Sequence, residues 1–464
     1  MDKTVLVVGA GPVGLMLAGE LRLAGVDVVV LERRNTPTGE SRGLGFTARA
    51  TEVFAQRGLL ERFGTVETSR QGHFGGIPMD YGVLEGAHFG ARGIPQHRIE
   101  RVLEDWVTEL GATVLRGHEL VGLQDTDERV FALVDGPDGR SELRAAYLVG
   151  CDGGRSAVRR LAGFDFPGTE ATREMYLADV AGRNIRPRFI GERVPEGMVM
   201  SAPLGDGVDR IIVCPRGVPH TDRQVSFDEV ADWWEKLTGE SLHGADVRWV
   251  SAFTDATRQV TEYRRGRVLL AGDAAHIHLP AGGQGLSLGV QDAVNLGWKL
   301  AATVNGHAPD GLLDTYHAER HPVGARVLRN TLAQGMLFLN GEEVDPLRSV
   351  MAELIAIPDV ARHLAGMVSG FDIRYGDSEH PLVGSRMPNA ALSDGRTVAE
   401  LLAGGRGVLI GAELTGWEGR VDVVAATPTE PGLDAVLLRP DGYVAWAGPG
   451  DGLTEALHRW FGPQ

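Results

Sequence analysis

The chain has 464 residues, 43% hydrophobic and 23% charged, with a formal charge of -16 from 62 acids against 46 lysines and arginines. Such a length exceeds one ordinary core and predicts two or three domains, and the acidic balance argues against nucleic acid or an anionic membrane surface as the main partner. Glycine is the outlier at 64 residues, and without a collagen period it marks turns and close backbone approaches. The chain opens on "TVLVVGAGPVGLMLAGELRLAGVDVVVLERR". This reads as a strand from Thr4 to Val8, a glycine turn, a helix carrying Leu15, Leu17, Ala18, Leu21 and Leu23, and a second strand from Val26 to Leu31.

Gly9, Gly11 and Gly14 make a GxGxxG turn between that strand and that helix. Gly9 allows the tight turn, Gly11 lets a pyrophosphate reach the backbone, and Gly14 lets the helix pack on the strand. The helix N-terminus, with Pro12 at its start, then presents partial positive charge to the phosphates. Glu32 follows 18 residues after Gly14, where an acid accepts from a ribose hydroxyl, and Arg33 stands beside it. An acid at that place selects an unphosphorylated ribose, hence FAD or NAD rather than NADP.

The uncharged run Thr4 to Gly19 after Lys3 imitates a signal peptide, but Asp2 and the break at Gly9 to Pro12 argue against one. No run approaches a membrane span. The two cysteines, Cys151 and Cys214, form neither a disulfide framework nor a metal spacing. The expectation is a cytoplasmic protein with no metal.

Further along, "AAYLVGCDGGRSAVRRLAG" gives a strand ending at Asp152-Gly153, then Arg155, Ser156 and a short helix. From Asp165 to about Phe253 the pattern turns to strands, with a hairpin predicted at Leu204 to Gly207. "SFDEVADWWEKLTG" is a helix with Ser226 as N-cap and Glu229 completing a capping box. "AGDAAHIHLPAGGQGLSLGVQDA" then repeats the grammar of a strand end followed by an acid, at Gly272-Asp273, and runs into a long helix. After helices through about Val368, two β-rich runs flank Arg439-Pro440-Asp441-Gly442, a type I turn signature. "GPGDGL", from Gly448, comes too late in the chain to open a second nucleotide domain.

GxGxxG, the Asp152-Gly153 motif with Arg155, and Gly272-Asp273 through Asp292, in that order, resemble the FAD-dependent aromatic hydroxylases typified by para-hydroxybenzoate hydroxylase. The resemblance covers the chain to about Gly370. It implies an α/β fold: a Rossmann-like FAD domain over 1–72, 96–165 and 264–370, and a strand-rich substrate domain over 73–95 and 166–263. Residues 388–464 are similar to the thioredoxin-like appendage of larger members, without its redox cysteines.

The same resemblance implies site residues. Asp273 would bond a ribitol hydroxyl, and backbone at Pro280, Gly283, Gly285 and Leu286 would lie against the isoalloxazine. Arg42 would stand near the flavin, Gln96 near the ribitol and phosphates, and Leu120 would offer backbone to adenine. Ser287 stands where members often carry Asn, and Leu279 where they carry a small residue or Pro. His276 and His278 more often fix backbone in this loop than take part in chemistry. Phe74, Tyr176, Met198, Met200 and Pro203 are candidates for the substrate pocket.

The activity implied is a monooxygenase: NADPH or NADH visits transiently to reduce the flavin, dioxygen adds at the flavin C4a, and the hydroperoxide delivers one oxygen to an aromatic ring. "FGGIPMDY", from Phe74 to Tyr81, leads toward the substrate sheet and resembles members acting on aromatic polyketides and rifampicin-type polycycles. Arg210 is the one candidate clamp for a substrate carboxylate. Baeyer–Villiger insertion, antibiotic-inactivating hydroxylation and a non-enzymatic FAD-binding protein are the rival readings. The lack of a WxWxIP stretch among the eight tryptophans argues against a flavin halogenase. Monomer and homodimer are both open.

Overall fold

The structure is a computed structural model that describes residues 3–37, 39–40, 43–84, 91–221, 223–428, 435–448 and 452–464. Its central sheet has six strands in the order Arg264–Arg265, Val268–Leu270, Tyr147–Gly150, Val5–Val8, Val28–Glu32, Thr113–Arg116. All pairings are parallel except at the short Arg264–Arg265 edge. Parallel strands need covering on both faces, which is why these segments read as unbroken Val/Leu/Ile runs rather than alternating ones. Helices α1 (Pro12–Leu23), α2 (Ala48–Gln56) and α3 (Gln96–Glu109), with the short α4 (Ala157–Leu161), belong to this layer. A three-stranded antiparallel sheet, Glu119–Asp125, Val130–Gly136 and Gly139–Ala145, flanks it.

A five-stranded antiparallel sheet follows, in the order Arg188–Val194, Gly197–Gly205, Val208–Pro215, Glu174–Ala181, Asp246–Thr254. The hairpin turns at Asp206-Gly207, as the sequence predicts. Helix α5 (Phe227–Thr238) covers the back of this sheet, with Trp234, Tyr176, Val199, Ile211 and Val213 in one core. Ser226 caps α5 by accepting from the Glu229 N–H, but the expected capping box is not made. The Glu229 carboxylate is paired with Arg223 instead, a stronger charge-assisted partner than a neutral backbone N–H.

The long helices α6 (Gln284–Asn305) and α7 (Thr315–Leu339) lead through α8 (Asp345–Ile355) and α9 (Pro358–Ser369) to a C-terminal unit. That unit holds α10 (Val398–Leu401), a four-stranded sheet and α11 (Leu453–Phe461). Its sheet runs Val421–Val424, Gly407–Ile410, Ala435–Leu438, Val444–Gly448, the first pair parallel and the others antiparallel. The predicted turn at Arg439 closes with the Gly442 N–H donating to the Arg439 carbonyl at 2.9 Å.

Buried charge joins this unit to α1, α6 and α7. Arg439 donates to Glu319 of α7 at 2.6 and 2.8 Å and to Asp441, and its guanidinium lies 4.5 Å from the Trp460 ring centroid. Lys299 of α6 donates to the same Glu319 at 2.8 Å. Arg57 bonds Glu20 of α1 while donating to the carbonyls of Leu402 and Pro440. Burial pushes the Glu319 carboxyl up, but Arg439 and Lys299 outweigh it and hold it far below the usual carboxylate range.

A buried ion whose partner is removed costs roughly 3–5 kcal/mol. We therefore expect Arg439→Met to lower the unfolding free energy by about that much, read from urea unfolding of the whole chain. Glu319 is depressed in the folded state, so its contribution is present above the unfolded carboxylate pKa of about 4.3 and is lost as pH falls further. The acid limb of the stability curve should therefore flatten in Glu319→Gln, and an unchanged limb would remove this pair from the acid response.

Candidate active site

Parallel strands deliver their following loops to one edge of the sheet, and a crevice opens where strand order reverses. Here Val5–Val8 sits between Val28–Glu32 and Tyr147–Gly150, so the reversal falls at the first motif. The GxGxxG turn, Glu32, Asp152-Gly153 and Gly272-Asp273 all emerge at carboxyl ends of adjacent strands. The sequence separates these motifs by more than a hundred residues; the sheet puts them side by side.

The glycines of the first motif have different jobs. A Cβ on Gly9 would lie 2.5 Å from the Cys151 carbonyl oxygen, and one on Gly14 only 2.0 Å from the Gly9 carbonyl. Those two are glycines because the protein itself fills the space. A Cβ on Gly11 would meet nothing within 4 Å, and the N-terminus of α1 has no side-chain cap. Gly283 is alike: it precedes α6 with φ 66°, its Cβ would also enter open space, and that helix too lacks a side-chain cap. Two uncapped helix N-termini face open crevice, and both suit anionic or carbonyl oxygens of a dinucleotide.

Glu32 is held at this edge by accepting from the Ala10 N–H at 3.0 Å and the Arg34 N–H at 2.9 Å, which leaves lone pairs for a ribose hydroxyl. The strand carrying Leu120 is tied to the same place, since the His118 N–H donates to the Glu32 carbonyl at 2.9 Å.

The third motif is fixed from beneath by Asp292 of α6. Its carboxylate accepts from the Gly272 N–H at 3.2 Å, from His276 Nε2 at 2.7 Å and from Arg320 Nε of α7 at 2.7 Å. All three side chains are fully buried. Burial alone would raise the Asp292 carboxyl, but Arg320 and His276 hold it below its ordinary value. Arg159 of α4 fastens the second motif to the third, donating to the carbonyls of Ala274 at 2.9 Å and Gly154 at 2.6 Å. Neither Arg159 nor Arg320 stands out in the sequence; each lies on a helix in a run of ordinary polar residues, and only the tertiary fold supplies its partners.

Residues 2–331 match the family model described as "FAD binding domain", and residues 380–464 match "Aromatic-ring hydroxylase, C-terminal". The chain belongs to the FAD-binding aromatic-ring hydroxylases. It is an FAD-dependent monooxygenase of that family.

The crystal structure of CabE, an aromatic hydroxylase from angucycline biosynthesis, is 60% identical and superposes with a TM-score of 0.96 over 100% of both chains. The rifampicin monooxygenase of Streptomyces venezuelae is 46% identical over 99% of this chain and 98% of its own. The 12-dehydrotetracycline 5-monooxygenase/anhydrotetracycline 6-monooxygenase of Streptomyces rimosus subsp. rimosus is 45% identical over 100% and 99%.

The individual residues fall as follows. Asp273, Pro280 and Gly283 are exposed at the crevice, with Gly285 and Leu286 half-buried beside them. Gln96 starts α3 and lies across Gly43 from Leu286, its amide donating to Glu100 at 2.8 Å. Arg33 and Arg155 are exposed at the lip, while Arg42 lies outside the described residues. The Asp152 carboxylate is already engaged, accepting from the Ala157 and Val158 N–H groups at 2.6 and 3.1 Å and from Ser156 Oγ. It shapes the second motif from within rather than facing the crevice.

Ser287 accepts from the Thr47 N–H at 2.8 Å and so ties that loop to α6. Of the two loop histidines, His278 bonds backbone, as the sequence suggests, whereas His276 bonds the Asp292 carboxylate. His278 donates through Nδ1 to the Leu279 carbonyl at 2.8 Å, and burial lowers its pKa to about 4.

The substrate candidates divide by strand parity. Met198 and Met200 face forward with Met175, Ile212, Cys214 and Phe253, toward Leu279, Ala281, Phe338 and Leu339. Tyr176 does not join them: one residue from Met175, it points to the opposite face and packs against α5, because successive side chains alternate across a strand. Pro203 is exposed at the hairpin end and shares the parity of Val199, not of Met198. Phe74 is buried in a separate cluster with Ile77, Leu337, Leu364 and Val368. "FGGIPMDY" forms a hairpin of its own, Gln71–Phe74 with Ile77–Asp80, rather than leading into the large sheet. Arg210 is paired with Asp179 through two 2.7 Å bonds and is buried, so it does not stand ready as a carboxylate clamp.

Two outcomes follow for the crevice. Gly11→Val should fold and lose FAD, whereas Gly14→Val should fail to fold, measured by flavin absorbance and circular dichroism. Equal flavin content in Gly11→Val and the parent would show that the open space holds no cofactor.

His278 is depressed in the folded state, so its stabilising contribution is complete above the unfolded pKa of about 6.5 and is lost as pH falls toward about 4. Folding stability should therefore decline across that window, read from urea unfolding at a series of pH values, and His278→Gln should flatten the decline.

Proposed function

We propose that this enzyme hydroxylates a polycyclic aromatic polyketide of the angucycline or anthracycline kind, using NADPH or NADH and dioxygen. The observation that carries the reading is the front of the five-stranded sheet. Met175, Met198, Met200, Ile212 and Phe253 make a broad apolar wall opposite the Leu279–Ala281 turn. Flat polycycles suit such a wall, and methionine adapts to irregular ring outlines. A small benzoate would need a free cation, and the candidate the sequence offers, Arg210, is neutralised by Asp179. The similarity to a hydroxylase of angucycline biosynthesis and to a tetracycline-pathway monooxygenase supports the same substrate class.

FAD, when bound, supplies hydride acceptance and oxygen activation. The chain's own residues bind and orient it. Gly11 and the start of α1 receive the pyrophosphate, Glu32 a ribose hydroxyl, and Asp273 a ribitol hydroxyl, with backbone near Leu120 at the adenine. The uncapped start of α6, from Gly283 through Gly285 and Leu286, would favour negative charge on the bound ring system. The apolar wall keeps water from the reacting centre.

Residues 388–464 are read as a thioredoxin-like packing domain. The order of its sheet, with a parallel first pair, supports this, and both cysteines of the chain lie elsewhere. No helix among the described residues is long and apolar enough to cross a membrane. We place the protein in the cytoplasm, as monomer or homodimer.

The test is turnover with labelled dioxygen. Enzyme, FAD, NADPH and a panel of polycyclic phenols should give a product carrying one heavy oxygen with its carbon skeleton intact. Inert polycycles alongside rapid turnover of simple hydroxybenzoates would overturn the reading. A ring-expanded ester or lactone would replace hydroxylation by Baeyer–Villiger insertion.

A further inference from the structure

Between the Ala281–Gly283 turn and the Gln71–Asp80 hairpin lies a row of buried primary amides. The Gly75 N–H donates to Gln334 Oε1 at 3.1 Å, and Gln334 Nε2 donates to Asn330 Oδ1 at 3.0 Å. Asn330 Nδ2 donates to Gln284 Oε1 at 3.1 Å, and Gln284 Nε2 donates to the Ala281 carbonyl at 3.0 Å. The three side chains are 0%, 4% and 4% exposed. Each amide accepts on one side and donates on the other, so the row has a single direction from the Gly75 N–H to the Ala281 carbonyl. Gln334 and Asn330 are four residues apart on α7, the spacing that places them on one face.

Both ends are seated without slack. Gly75 and Gly76 form a two-residue hairpin turn with φ 56° and 75°, and a Cβ on either would strike Leu337 or Phe338 at 2.7 or 2.5 Å. Arg348 grips the same tip from the other side, donating to the Gly75 and Leu337 carbonyls at 2.6 Å. At the far end, Ala281–Gly283 is a single turn containing two left-handed glycines. Gln284 is the side chain that tethers it, through the Ala281 carbonyl.

We propose that Gln334, Asn330 and Gln284 are positioning residues for oxygen transfer. The row sets the height of the Ala281–Gly283 turn from the position of the hairpin tip, so that the turn holds its place only when the hairpin is seated. A fully satisfied buried amide row has one low-energy arrangement, because reversing any member would oppose two carbonyls or two N–H groups. The inference rests on the flavin lying against this turn, as the proposed function has it. A merely packed interface would be served as well by apolar side chains, which avoid the desolvation cost of three amides.

The test uses the FAD-loaded enzyme with Asn330→Leu and Asn330→Asp. Leucine removes both bonds; aspartate keeps the acceptor for Gln334 but has no proton for Gln284. Both should behave alike.

In amide hydrogen exchange, segments 72–79 and 279–286 should each exchange faster than in the parent, though the substitution lies on α7. In turnover with a polycyclic phenol, NADPH consumption per flavin should stay near the parent while product per NADPH falls about tenfold and peroxide rises, since small misplacements at a reacting centre carry penalties of this order. A general folding defect would lower both in proportion to bound flavin.

Exchange changes confined to α7, or an unchanged product per NADPH, would overturn the proposal. A parent enzyme that oxygenates no polycycle would instead overturn the functional reading, and the exchange measurement would still decide whether the row couples its two ends.

Discussion

The carboxylate of Asp292 sits out of water at the junction of α6, α7 and the third glycine motif, and it is satisfied there by one backbone N–H, one imidazole and one guanidinium. A buried carboxylate is costly unless every partner is in place, so this cluster tolerates one arrangement only. That arrangement fixes the Gly272 turn against α6 and aims the start of α6 at the crevice. Arg320 extends the constraint, bonding the Tyr375 hydroxyl and the Leu288 carbonyl as well as Asp292. The part of the molecule that must meet a rigid planar cofactor is thus built on charge, whereas the sheet behind it is built on Val and Leu.

Arginine does similar work wherever layers meet. Arg57, Arg439 and Arg49 each reach from one unit to acids or carbonyls of another. At the end of α7, Arg173 and Arg216 from the substrate sheet and Arg348 from α8 donate to the last carbonyls of the helix or of the residue after it. A planar guanidinium presents five donors in a rigid fork and satisfies several carbonyl groups at once, where a lysine ammonium presents three on a flexible stem. Helix C-termini also favour cations, so seating the roof on α7 and capping that helix are one set of bonds.

Much of the cofactor half is legible along the chain. Gly9, Gly11 and Gly14 between two β-rich runs, with Glu32 at the second run's end, report local geometry: a tight turn, a close approach and a helix start are each set by a few neighbouring residues. The helix at Ser226 and the turn at Arg439 are read the same way. Faces of strands are harder. Tyr176, Met198 and Pro203 are all plausible wall residues by type, and only the pairing of Glu174–Ala181 with its neighbours decides that Met175, not singled out in the sequence, faces the Leu279–Ala281 turn and Tyr176 faces α5. The hairpin of "FGGIPMDY" is local, but its seat on α7 joins residues more than 250 positions apart.

By itself, then, the sequence determined the dinucleotide cradle, the order of the three motifs and the alternation of helix and strand, since all of these follow from backbone preferences and apolar periodicity over short spans. Tertiary structure alone decided where polar and charged side chains find partners. It turned Asp152 inward to cap a helix, paired Arg210 with Asp179, set His276 beneath the third motif on Asp292, and lined up Gln334, Asn330 and Gln284. The reason is physical: a polar side chain's role depends on the one or two groups within about 3 Å of it, and those groups come from distant parts of the chain that no local pattern records.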